Sequence, residues 1–125
     1  MKALMFECKK IGFLLDINNL LHVSDINEIQ GEKEREILIF NFSKFLDGDT
    51  NPKYVIFLTD KKRYIGVLAD KIYDIISYNE FKPFEKNNFD VKFIKGVVEY
   101  NNKLLYLLNA ENLIEVAYEE KNNAH

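Results

Sequence analysis

Ile11-Gly-Phe-Leu-Leu-Asp16 and Ile65-Gly-Val-Leu-Ala-Asp70 agree at four of six positions and lie 54 residues apart. The likeness extends outward from both. Phe6 and Phe57 each precede a lysine pair, Lys9-Lys10 and Lys61-Lys62. The apolar run Ala3–Cys8 is split by that pair from Ile11–Leu15, and Tyr54–Leu58 is split by Thr59–Lys62 from Arg63–Leu68. Two apolar runs divided by a short polar stretch predict a β-hairpin in each half. The β-branched and aromatic content favours strand over helix. Beyond each repeat, Ile17–Val23 and Lys71–Ile76 predict a third strand after a bend, although periodicity alone also fits a short helix there.

The halves end alike as well. Ile37–Leu46 resembles Leu105–Ile114, with Asn41 and Asn109 in matching places. An Asn there can cap a helical turn by accepting from a backbone N–H. The pattern predicts strand, cap and short helix twice, the second helix running to about Glu120 through Leu113, Ile114, Ala117 and Tyr118. The copies are offset by 54 residues at the front and 68 at the back, so the second half holds 68 − 54 = 14 more residues. That insert falls around Glu80–Asp90, where Lys82-Pro83 and Asn87-Asn88 are loop chemistry. Asp47–Pro52 is turn chemistry at the seam. The chain therefore reads as one duplicated all-β domain over 1–125, with halves of about 1–50 and 51–120. A lone half of about 55 residues would be marginal, so two small barrels sharing a core are expected.

Composition supports a globular chain, with 47% hydrophobic and 30% charged residues. The formal net charge is −3, and no basic stripe is visible that would neutralise phosphates, so nucleic acid is not an expected partner. The longest apolar runs, such as Tyr54–Leu58 and Leu104–Leu108, are five residues, against the ~20 of a spanning helix. MKALMFECKK lacks the apolar stretch of a signal peptide. One cysteine, Cys8, cannot form an internal disulfide, which fits a reducing, cytoplasmic setting. Asn41-Phe42-Ser43 matches a glycosylation sequon and reads as chance without a secretory signal.

Convergent chemistry is sparse. Of two histidines, His125 is terminal and His22 sits in an apolar stretch, where a structural role is expected. Five scattered glycines form no phosphate loop. No cofactor, metal or catalytic set is expected. Cys8 reads as a buried, inert thiol, and Glu32–Glu36 as a solvated hairpin tip. Asp16 and Asp70 read as doing one local job at matching bends, bonding nearby backbone N–H groups. Gly12 and Gly66 mark matching places where the backbone bends or packs closely, and Gly96 is a third structural glycine.

Taken in order, Phe6…Ile11–Ile17…Val23, Tyr64–Ile75, and Phe93–Val97…Asn102–Asn109…Leu113-Ile114 resemble a CheW-like domain through nearly the whole chain. The resemblance implies two five-stranded, SH3-like barrels around a common core, no cofactor, and no catalysis. It implies a cytoplasmic adaptor joining chemoreceptor signalling tips to the regulatory domain of a CheA-type histidine kinase. The kinase face carries over to Leu20, His22, Val23, Gln30 and Gly31, with His22 where the family has Glu and Gln30 where it has Arg. The proline-bearing loop usual before Ile26 is missing, and Leu38 stands at a family proline. The receptor groove between the barrels carries over to Ala69, Asp70, Ile72 and Ile75, although Ile72 and Ile75 also read as plain core. Two other readings stand beside this one. A divergent module could bind one partner only, or self-associate through an exposed edge. A small β-barrel ligand-binding protein or enzyme is the alternative of a different class.

Overall fold

Each predicted hairpin forms, and each then sends its next strand into the other sheet. The computed structural model describes residues 1–30, 38–41, 51–83 and 92–123, without the side chains of residues 29, 30, 122 and 123. In chain order the strands are β1 (Lys2–Cys8), β2 (Ile11–Asp16), β3 (Leu20–Asp25), β4 (Leu38–Phe40), β5 (Tyr54–Thr59), β6 (Tyr64–Ala69), β7 (Lys71–Ser77), β8 (Lys82–Pro83), β9 (Ile94–Tyr100) and β10 (Lys103–Leu108). A 3-10 turn at Ile17–Asn19 precedes β3, helix α1 (Ile26–Gln30) follows it, and helix α2 (Ala110–Asn123) follows β10.

One sheet has the order β7-β1-β2-β10-β9-β8 and the other β3-β5-β6-β4. Each sheet is thus a hairpin from one half of the sequence flanked by strands from the other half. In the six-stranded sheet β10 lies parallel to β2, and in the four-stranded sheet β4 lies parallel to β6. Such parallel neighbours require a long crossover rather than a tight turn. The two IGxLxD strands, β2 and β6, hold corresponding places, one in each sheet.

The main core lies between the sheets. Leu4, Phe6, Cys8, Phe13 and Leu15 meet Ile56, Leu58, Ile65 and Val67 there, under Leu113, Ile114 and Ala117 of α2. Those α2 positions follow the three-or-four spacing of an apolar helix face. The opposite face of the six-stranded sheet buries Ala3, Met5, Leu14, Ile76, Tyr78, Val98, Leu105 and Leu107 in a second cluster. β1 and β2 are buried on both faces, which is why their sequences run apolar without alternation. The free thiol of Cys8 is buried in the main core.

The turns follow local chemistry. Lys9 and Lys10 have φ of 53° and 70°, and Asn101 and Asn102 have 49° and 66°, the left-handed pair that a two-residue antiparallel hairpin needs. Asp60 accepts from the Lys62 and Arg63 backbone N–H groups at 2.9 and 2.7 Å, closing the β5–β6 turn. The Asn109 side chain accepts from Asn112 N–H at 3.0 Å, capping α2 as expected. Two elements differ from expectation. Lys82-Pro83, expected in a loop, pairs with Val97 and Gly96 as an edge strand, a place where a missing N–H costs nothing. Residues 26–30, to which the sequence assigned no element, are helical. Asp25 accepts from Asn27 N–H while Glu28 accepts from Asp25 N–H, a reciprocal cap. The helix expected after Asn41, the charged run Glu32–Glu36, most of the inserted loop, the start of the seam, and His125 lie outside the described residues.

Added Cβ atoms explain the glycines by close packing. At Gly12 a Cβ would meet Leu105 Cδ2 at 2.5 Å, and at Gly66 it would meet Ile39 Cδ1 and Val55 Cγ1, each at 2.8 Å. At Gly96 it would strike the Phe81 ring and the Lys82 carbonyl oxygen.

Candidate protein-interaction surface

Asp16 and Asp70 sit where the chain crosses from one sheet to the other. After Asp16 it leaves β2 for β3, and after Ala69 it leaves β6 for β7. Their bonds differ. Asp16 accepts from Asn18 N–H at 2.8 Å and starts the 3-10 turn. Asp70 accepts from Lys9 N–H at 2.7 Å, 61 positions away, and donates its own N–H to Glu7 O at 2.9 Å. The first bond is local, as expected. The second instead ties the β1–β2 hairpin tip to the crossover.

The crossovers lead into β3 and β7, each an edge strand, and each carries one extra residue against its partner. His22 and Leu20 face Phe57 and Leu58, so Leu21 is the surplus residue of β3. On β7 the register steps from Ile72 opposite Phe6 to Ile75 opposite Leu4. A bulge re-aims the side chains beside it. Leu21 is consequently 52% exposed and Ile75 51% exposed. The 54-residue offset of the repeat makes these two positions equivalent.

The residues singled out from sequence therefore divide. In the kinase set, Leu20 and Val23 pack against the main core, while His22 faces outward. The His22 ring bonds Ser24 Oγ at 2.6 Å and lies 5.0 Å from the Phe57 ring, a structural arrangement. Gln30 ends α1, without a described side chain, and Gly31 lies outside the described residues. In the groove set, Ala69 is wholly buried, Ile72 packs against the core, and Asp70 is half-buried. Only Ile75 is strongly exposed. Leu21 was missed by the sequence reading, and the repeat offset that pairs it with Ile75 was the signal for it. Tyr73, 42% exposed beside Ile75, was also missed. Its hydroxyl donates to Glu7 Oε2 at 3.0 Å, and that bond, with some burial and the Glu7 charge, raises its pKa above the usual phenol range.

Among the described strands β3 and β7 are two edges, and their exposed apolar residues can take part in strand-edge packing against another protein. Among the described residues, no group of three or more His, Cys, Asp or Glu side chains is placed to hold a metal ion. No described helix is long and apolar enough to cross a membrane.

The CheW-like domain family model matches residues 2–117. The chain belongs to the CheW-like domain family. Among solved structures it is similar to the scaffolding protein TtCheW from Thermoanaerobacter tengcongensis, with a TM-score of 0.67 at 16% identity, covering 86% of this chain and 87% of that one. No curated protein matches the sequence. The two-sheet, mostly β fold is thus the CheW-like fold, with two SH3-like subdomains. Among the described strands, the pairings leave each sheet with two edges, at β7 and β8 and at β3 and β4.

Proposed function

We propose that this CheW-like chain is a non-catalytic, cytoplasmic adaptor in chemotaxis-type signalling, coupling a chemoreceptor signalling tip to the regulatory domain of a CheA-type histidine kinase. The observation that carries this reading is the family match across 2–117, which spans both sheets. The mechanism is packing of edge strands onto partner barrels and helices, with Leu21 and Ile75 as apolar anchors. Assembly does the work, and no bond is made or broken.

The test is separate titration of the folded chain with a cognate kinase regulatory domain and with a receptor tip. Binding to both is expected. Binding to neither overturns the adaptor reading. A second reading, a module that keeps a single partner, draws support from the kinase set, where Leu20 and Val23 are committed to the core. Binding to one partner alone would select it.

A further inference from the structure

His22 is the one histidine among the described residues, and imidazole is the side chain that ordinarily changes charge between pH 5 and 8. It stands exposed on the β3 edge, next to the Leu21 anchor, with its ring 5.0 Å from that of Phe57. Among the described residues its one hydrogen bond joins Nε2 to Ser24 Oγ at 2.6 Å. Ser24 is the buried end of that bond, at 9% exposure. A neutral ring suits this setting, because Nε2 can either accept from or donate to the hydroxyl. A protonated ring must donate at both nitrogens, and in the free chain water serves Nδ1.

No described counter-charge waits for that proton. β5 places Phe57 opposite His22 and Val55 opposite Ser24, both apolar, while its phenol Tyr54 packs against the main core. On the same strand, the Asp25 carboxylate accepts from Asn27 N–H. Glu28 of α1 accepts from Asp25 N–H, and Asp16, before the 3-10 turn, accepts from Asn18 N–H. A partner packed over Leu21 removes the water beside the ring, and a charge buried without a counter-ion costs far more than a neutral ring. Resting on the adaptor reading above, we infer that His22 makes docking at the β3 edge pH-sensitive: the kinase regulatory domain is held by the neutral ring and released as the ring ionises. Affinity is therefore full above the imidazole range and is lost as pH falls through it.

The test is calorimetric titration of the full chain with the kinase regulatory domain from about pH 8 down to about pH 5.5. The dissociation constant should rise by about tenfold over that range. His22→Gln, uncharged throughout, should keep its affinity in acid. His22→Arg, charged throughout, should bind at every pH as weakly as the parent does in acid. Amide NMR spectra of both variants should overlay the parent's away from β3. The same pH slope in the parent and in His22→Gln would overturn the inference and leave the adaptor reading standing. Affinity that rises in acid in the parent alone would place a partner carboxylate against the ring and overturn it equally. Absence of binding at every pH would overturn the adaptor reading, and this inference with it.

Discussion

At Gly12, Gly66 and Gly96 the missing Cβ has a different neighbour each time, and the neighbours rank the cost of adding one. Gly12→Ala meets the far end of Leu105, which can turn aside. Gly66→Ala meets Val55, stiff at χ1, and Ile39 together. Gly96→Ala meets a backbone carbonyl that cannot move without breaking the β8–β9 pairing. Chemical denaturation should therefore show losses rising in the order Gly12, Gly66, Gly96, with about 1–3 kcal/mol for the latter two. An equal cost at all three would refute the packing account. Asp60 offers a test by pH. Its side chain is 5% exposed, and burial alone would raise its pKa. Hydrogen bonds from the Arg63 and Lys62 backbone N–H groups, then the Arg63 guanidinium at 3.2 Å, outweigh this and hold it below the ordinary carboxylate range. A depressed folded pKa adds stability above the unfolded value, about 3.9, and that stability fades as pH falls through the folded value. Asp60→Asn should thus be less stable than the parent by about 1–3 kcal/mol at pH 7. The gap should close in acid, and melting curves from pH 7 to pH 2 would reveal a gap that stays constant if the account is wrong.

At the scale of elements, the hairpins and α2 were legible because their signals are local. A polar pair between apolar runs sets a hairpin, and Asn109 three residues before Asn112 sets a cap. The β9–β10 hairpin was equally local, announced by Asn101-Asn102, and was not singled out. So was α1, announced by Asp25 and Glu28 at capping-box spacing. Lys10 holds a left-handed conformation that suits glycine better, and Lys10→Gly should stabilise the chain by about 0.5–1 kcal/mol in thermal unfolding. Destabilisation would mean that the Lys10 side chain contributes more than its backbone strain costs. The edge strands were less legible. A bulge depends on the strand across the ladder, so sequence pointed to Leu20 and Val23 while Leu21 became the exposed residue. Leu21→Asp and Ile75→Asp should leave stability within about 0.5 kcal/mol, since both side chains are exposed. Each should weaken partner binding by about tenfold in calorimetry. Unchanged affinity in both variants would remove these residues from the interface.

At the scale of the whole molecule, the seam in sequence is not the seam in space. The β1–β2 hairpin carries β7 and β10 from the second half, and the β5–β6 hairpin carries β3 and β4 from the first. Separate fragments 1–50 and 51–125 should each lack dispersed amide spectra, and mixing them should restore the native pattern. A fragment that folds alone would contradict the exchange of strands. The exchange also gives the repeated aspartates a shared place, at the two crossings, while leaving them different bonds.

The sequence by itself determined the β class, the duplication, the tight turns, the α2 cap and the family, because each rests on residues within a few positions of one another or on order along the chain. Only the tertiary structure decided which strands share a sheet, that Asp70 holds Lys9 across 61 positions, and that Leu21 and Ile75 stand exposed. Strand pairing is a long-range choice made by whichever partners bury the most apolar surface together. No periodicity within a single strand records its partner across the ladder.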